Sequence, residues 1–156
     1  MDPENSAPEN MAPENMAREN MAMEHMSLFA ELRFDAAGLI PAIAQQYDTG
    51  EVLMVAWMNA ASIAETLSTG RVCYWSRSRE KLWRKGETSG QAQHLKEMRI
   101  DCDGDTLLLL VDQIGVACHT GRRNCFYRAM RGEKLVEIAA PIVNPTMLYG
   151  GERDII

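Results

Sequence analysis

From Leu39 onwards the chain is a succession of short apolar runs broken by glycine and aspartate, and this constrains the fold more than any other feature. Leu39–Gln46 and Glu51–Trp57 flank Tyr47-Asp48-Thr49-Gly50, whose Asp and Gly favour a turn, so a hairpin is expected. Asn59 is placed to cap a short helix reaching about Ser68, with Ile63 and Leu67 on one face and Gly70 as the stop. Arg71–Ser76, His94–Cys102 and Thr106–Gln113 read as strands, the last two turning at Asp103-Gly104. Phe126–Met130 and Lys134–Ile138 form a further possible pair around Arg131-Gly132. One or two short helices among many strands predict a β-rich α+β domain with antiparallel pairing.

The first 27 residues have another character. Pro3-Glu4-Asn5-Ser6-Ala7 is followed by two near copies, Pro8 to Ala12 and Pro13 to Ala17, and by two decayed ones ending at Ser27. A period of five fits neither strand nor helix, and the repeated prolines oppose regular hydrogen bonding. Residues 1–27 therefore read as a disordered, low-complexity tail, with an amphipathic helix over about Ala17–Met26 as the alternative on propensity. Residues 28–156 are the folded domain.

A chain of 156 residues has room for one ordinary domain. The formal charge of -6 argues against a nucleic-acid partner held through phosphates. The tail holds six acids and one arginine, so residues 28–156 are nearly neutral, with 16 acids against 15 bases. No apolar run approaches the ~18–20 residues that cross a bilayer. Nothing at the start reads as a signal peptide, so a cytoplasmic location is expected. There, cysteines are reduced thiols, metal ligands or nucleophiles rather than disulfides.

Three of the four cysteines, Cys102, Cys118 and Cys125, fall in one short stretch. Three thiolates with one open position is an arrangement catalytic zinc uses, although free cysteines are also common as small buried hydrophobes. Cys73 lies inside an apolar strand and reads as such a core residue. Asp101, Asp103 and Asp105 surround Cys102; if the strand persisted they would share a face opposite it. Such a cluster suits a hard cation such as Mg²⁺ or, equally simply, a solvated acidic turn. His119 follows Cys118 directly and is placed to move a proton beside a metal-bound water. His94 opens a strand and reads as a packing or substrate-contact residue.

Another segment interleaves bases, hydroxyls, glycines and indoles. It runs Trp75-Ser76-Arg77-Ser78-Arg79, then Leu82-Trp83-Arg84-Lys85-Gly86-Glu87-Thr88-Ser89-Gly90. Guanidinium forks and hydroxyls bind phosphate, glycine lets backbone N–H groups approach it, and indoles stack on bases. A solvated basic loop would have much the same composition.

Taken together these motifs are far more specific than any one alone. Trp83-x-Lys85-Gly86-Glu87-Thr88-Ser89-Gly90, Asp101-Cys102-Asp103-Gly104-Asp105, Ala117-Cys118-His119-Thr120-Gly121 and Cys125-Phe126 resemble the core signature of the phosphoribosyl-AMP cyclohydrolase family, over essentially all of residues 33–131. The resemblance implies hydrolysis of the adenine N1–C6 bond of N1-(5-phosphoribosyl)-AMP in histidine biosynthesis, giving a formimino-aminoimidazole-carboxamide ribonucleotide. It implies Zn²⁺ on Cys102, Cys118 and Cys125, with Cys102 from one subunit and the other two from its partner in an intertwined homodimer. It also implies Mg²⁺ on Asp101, Asp103 and Asp105, and His119 as the catalytic proton carrier. Trp75, Arg77, Ser78, Trp83, Lys85, Glu87, Thr88, Ser89, Gly90 and His94 are the expected substrate contacts. A zinc nucleobase deaminase would need H-x-E and P-C-x-x-C, which are missing. A structural zinc module fits the near-neutral domain and its three clustered cysteines poorly.

Overall fold

The computed structural model describes residues 13–149. They fall into two compact units that divide between Leu32 and Arg33. The first contains helix α1, Pro13–Glu31. Where the sequence reading assigns residues 1–27 to a disordered tail, residues 13–27 are instead helical; residues 1–12 lie outside the described residues. Ala, Met and Glu are good helix formers, and Pro13 falls at the first helical position, where its missing N–H costs nothing. The helix is not amphipathic: Met16, Met23 and Met26 are all exposed.

The second unit is built on six strands and a short hairpin. β1 (Ile40–Gln46) and β2 (Val52–Met58) form the expected hairpin. Helix α2 (Ala60–Thr69) follows. The Asn59 side chain accepts from the Ser62 N–H at 2.9 Å, and the Ser62 hydroxyl accepts from the Asn59 N–H at 2.9 Å, a reciprocal cap. The Thr66 hydroxyl accepts from the Cys73 N–H at 2.9 Å and so ties α2 to β3 (Cys73–Ser76). β4 (Lys81–Arg84) pairs with β3, turning part of the expected ligand loop into a strand. β5 (Gln93–Ile100) and β6 (Leu107–Gln113) form the next hairpin. β7 (Arg128–Arg131) and β8 (Lys134–Glu137) pair separately, before helix α3 (Pro145–Tyr149). Three helices are thus present among the described residues, against one or two expected.

The sheet order is β4-β3-β2-β1-β6-β5. Purely antiparallel pairing is expected from the sequence, but the sheet is mixed: β1 runs parallel to β6, with Ala42–Gln46 against Leu107–Val111. Two antiparallel hairpins lying side by side bring these central strands together in the same direction, and no local pattern signals that. The sheet also curls. The Val72 N–H donates to the Gln93 carbonyl at 3.0 Å and the Leu95 N–H to the Gly70 carbonyl at 2.8 Å, drawing the start of β3 towards β5.

Ile40, Leu53, Met54, Met58, Ile63, Leu107 and Leu109 fill the core. A polar cord crosses it: Tyr74 Oη donates to Gln93 Oε1 at 2.6 Å, and Gln93 Nε2 donates to Gln113 Oε1 at 2.8 Å. Among the described residues no buried side-chain nitrogen or oxygen lacks a partner, as a buried network requires. The other face of the sheet is also apolar. Ile43 is registered against Val55 on one side and Leu108 on the other, and Val55 is 47% exposed.

Candidate active site

The turn from Ala117 to Cys125 is pinned at several points. The Ala117 N–H donates to the Arg123 carbonyl at 3.0 Å, the Cys118 N–H to the Arg122 carbonyl at 3.2 Å, and the Cys125 N–H to the Leu53 carbonyl of β2 at 2.8 Å. From inside, the Arg123 guanidinium donates to Gln46 Oε1 at 2.8 Å and to the Gln113 carbonyl at 3.1 Å. Tertiary contacts, rather than local propensity, therefore set the shape of this turn.

Cys118 and Cys125 meet within it. The Cys125 thiol is placed to donate to the Cys118 sulfur, and Thr120 Oγ1 lies 3.0 Å from that sulfur. The Cys125 interaction, opposed by burial and helped by Thr120, brings the Cys118 thiol down to about 5. Cys125 moves the other way, raised by its neighbour Cys118 and by burial. The pair is thus poised to hold one negative charge at neutral pH. Cys73 is buried in β3, where burial pushes its thiol up to about 11, in keeping with a core residue.

Lys85 faces this pair. It is only 3% exposed, its Nζ donates to the Ala117 carbonyl at 2.8 Å, and it lies 5.5 Å from the centre of the Trp83 ring. Burial lowers its pKa, while Cys125 and Cys118 act to raise it. Sequence reasoning assigns Lys85 to the substrate; the structure directs its ammonium to a backbone carbonyl beside the cysteines. The close approach that seats it is at Gly86, where a Cβ would lie 2.3 Å from the Ala92 nitrogen.

Next to the pair opens a cleft of about 400 Å³. Trp83, Lys85, Glu87, Thr88 and Ser89 line it, together with His119, Arg79, Lys81, Arg84 and Tyr149. His119 and the Lys85–Ser89 loop, far apart in sequence, therefore share one cavity. Gly90 sits just beyond, closing the loop with its N–H on the Gly86 carbonyl at 2.9 Å. Trp75, Arg77 and Ser78 line a separate adjoining hollow with Trp57, and Trp83 borders both. There the Arg77 guanidinium lies 4.7 Å from the centre of the Trp57 ring. His94 is exposed on β5, bridged to Arg71, and lines neither cavity. Sequence reasoning missed Trp57, which reads as an ordinary strand residue, and Tyr149, which no motif marks.

The acidic cluster stands elsewhere, in the β5–β6 turn. β5 ends at Ile100, so the alternation considered for residues 101–105 gives way to a turn. Asp101 Oδ1 accepts from the Asp105 N–H at 3.0 Å and the Thr106 N–H at 3.2 Å. Asp101, Asp103 and Asp105 are exposed, with candidate ligand oxygens all within 4.8 Å of one another. Slight desolvation acts to raise Asp101, but hydrogen bonds led by the Thr106 N–H prevail and hold its carboxyl below the usual range. For Asp105 the Thr106 hydroxyl acts downward, yet Asp101 and Asp103 outweigh it and raise the carboxyl. Like charges at this spacing favour a bound cation. Cys102 is exposed in the same turn. Among the described residues, these aspartates are the one cluster of three such donors, so the three cysteines do not converge within a single chain.

Comparison with known proteins agrees in one direction. The family model described as phosphoribosyl-AMP cyclohydrolase matches residues 54–127. A protein of Rhodospirillum centenum named phosphoribosyl-AMP cyclohydrolase is 74% identical over 80% of this chain and 93% of its own length. One of Paramagnetospirillum magneticum with the same name is 69% identical over 79% of this chain and 93% of its own. One of Acidiphilium cryptum, also so named, is 74% identical over 69% of this chain and 92% of its own.

Proposed function

The chain belongs to the phosphoribosyl-AMP cyclohydrolase family, and from that premise we propose that it hydrolyses the N1–C6 bond of N1-(5-phosphoribosyl)-AMP in histidine biosynthesis. The product is the formimino-aminoimidazole-carboxamide ribonucleotide. The observation that carries this reading is the shared cleft: His119, Ala117 (the residue before Cys118) and the Lys85–Ser89 loop line one space of a size that takes a nucleotide.

The donor chemistry suits the metals of the reading. Cys118 and Cys125, with one favoured thiolate between them, are soft ligands of the kind zinc takes, and the exposed Cys102 of a second copy would complete the set. Zinc held there would supply Lewis acidity and make a water at the site easier to deprotonate. Asp101, Asp103 and Asp105 are hard oxygen donors suited to Mg²⁺.

The protein's own residues then divide the work. The N1 ribosyl substituent leaves the purine ring electron-poor, so C6 is open to attack by water. His119, in the cleft, takes up the proton of that water and returns one to N1 as the C6–N1 bond breaks. Arg79 and Lys81 give the cleft positive charge for phosphate, the Arg84 guanidinium being engaged by the Glu65 carboxylate, and the hydroxyls of Thr88 and Ser89 add hydrogen bonds. Trp83 offers its ring to the base. Lys85 holds the Ala117 carbonyl and offsets the charge on the thiol pair.

Homodimerisation is part of the proposal. Support comes from the separation of Cys102 from the other two thiols, and from the apolar outer face around Ile43, Val55 and Leu108. No helix among the described residues is long and apolar enough to cross a membrane, and the enzyme is taken to act on a small molecule in the cytoplasm. The test is a spectrophotometric assay of ring opening on purified protein, with and without a chelator. Activity that the chelator abolishes and zinc restores is expected; full activity in chelator would remove the metal, and no ring opening in zinc would remove the reading.

A further inference from the structure

The cleft has a wall from a part of the chain that no motif marks. Ile142 and Val143 both donate their N–H groups to the Gly121 carbonyl, at 2.9 and 3.1 Å. Gly121 is itself bound back to Cys118, its N–H donating to the Cys118 carbonyl at 3.0 Å. At φ +78, a Cβ on Gly121 would lie 1.9 Å from the Val143 carbonyl oxygen, so backbone meets backbone with no room for a side chain. The segment after β8 is therefore docked on the very turn that carries Cys118 and His119. The Arg122 side chain fixes its start, donating to the Ala139 carbonyl at 2.8 Å.

From this contact the chain turns into α3. Asn144 Oδ1 accepts from the Thr146 N–H at 3.1 Å, and the Asn144 carbonyl from the Met147 N–H at 3.0 Å. Leu148 is buried at 7% exposure, which anchors the short helix. The next residue, Tyr149, reaches the cleft and lines it with His119, Trp83 and Lys85. An aromatic ring with a polar tip, in a cleft also lined by Arg79, Lys81, Thr88 and Ser89, suits a ligand with a flat base and an anionic end.

We propose that Tyr149 is a substrate-contact residue, brought to the cleft by a strap, residues 138–149, that docks on Gly121, and that it recognises the nucleoside monophosphate portion of the substrate. The strap makes the Cys118–Gly121 turn and the far wall of the binding site a single structural unit. This deepens the proposed function and rests on it.

The test compares the intact protein with Tyr149→Ala and Tyr149→Phe. In the ring-opening assay, Tyr149→Ala should raise KM about tenfold or more, with kcat within about threefold of the unsubstituted protein. Tyr149→Phe should keep most of the affinity, because it keeps the ring. Thermal melting of both variants is measured beside the assay, and KM and AMP affinity are compared at a temperature where each variant is folded. Binding is measured independently with AMP, followed through tryptophan fluorescence, and should weaken by a similar factor in Tyr149→Ala. KM and AMP affinity both within twofold of the starting values would overturn the proposal. If the intact chain opened no ring, the proposed reaction would fall, and the AMP titration alone would still decide whether Tyr149 contacts a nucleotide.

Discussion

The Nζ of Lys85 donates to the carbonyl of Ala117 at 2.8 Å, joining the end of the ligand loop to the residue before Cys118. A buried ammonium is costly unless paired, and its partners here are one carbonyl and the shared charge of two thiols. Lys85→Met should therefore act on the cysteines more than on phosphate binding. It leaves the Ala117 carbonyl without its partner, a loss of about 1–3 kcal/mol in unfolding free energy by urea titration. In metal-free protein, the ultraviolet absorbance of the thiolate should appear at higher pH than in the parent. An unchanged thiolate titration would separate Lys85 from the pair.

Cys118 has its thiol brought down to about 5, and Cys125 is raised. A depressed thiol is ionised above its folded value, so metal-free protein should carry one thiolate of the pair from about pH 6 upward. Cys118 is buried, so the charge is read by the ultraviolet absorbance of the thiolate, which should be present in metal-free protein at about pH 6–7. Removing the donor, in Cys125→Ala or Thr120→Val, should shift the onset of that absorbance to higher pH.

His119 and the cysteines should part company under substitution. His119→Ala is expected to retain bound zinc while turnover falls by about 10²–10⁴-fold. Cys118→Ser should lose zinc and activity together. Elemental analysis beside the ring-opening assay makes the distinction, and full turnover in His119→Ala would remove that residue from the chemistry.

A site shared between copies, as proposed, makes a sharper prediction. Cys102→Ser and Cys118→Ser should each be inactive alone. Unfolded together and refolded as mixed dimers, they should regain activity, because one site in each hybrid receives Cys102 from one chain and Cys118 and Cys125 from the other. No recovery, with hybrid dimers demonstrated by native mass spectrometry, would place all three ligands differently.

Two glycines of similar backbone conformation should respond differently to alanine. Gly38 has φ +74 with nothing within 4 Å of its notional Cβ, and Gly121 has φ +78 with the Val143 oxygen at 1.9 Å. Gly38→Ala should cost about 1–2 kcal/mol, the strain of the left-handed conformation alone. Gly121→Ala should cost clearly more and depress activity, because it pushes the strap off the turn. Equal melting temperatures for the two variants would contradict the packing described.

Much of this was legible from residues alone, and particular elements show why. Asn59 and Gly70 bracket α2 because caps are local chemistry, and the β1–β2 and β5–β6 hairpins follow from turn residues between apolar runs. The parallel pairing of β1 with β6 was not legible, since it depends on how two hairpins are laid together. The helical state of residues 13–27 was obscured by a five-residue repeat whose individual residues nonetheless favour helix. At the site, Lys85 and His119 were found by motif, but the direction of the Lys85 ammonium was not, because only the fold brings Ala117 to it. Tyr149 reaches the cleft through the contact between Gly121 and Val143, and no spacing near residue 149 encodes that.

The parallel pair at the centre of the sheet sets an order on synthesis. During translation, the β1–β2 hairpin leaves the ribosome with one side of β1 bare, since the strand that covers it, Leu107–Gln113, is still unmade. Until then the nascent chain displays unpaired N–H and carbonyl groups beside an apolar face, the combination that invites pairing with a neighbouring chain. Closure of the sheet, and with it a settled cysteine turn, must wait for the last third of the polypeptide. A ribosome stalled before residue 107 would therefore expose a hairpin ready to aggregate and lack the thiol pair altogether.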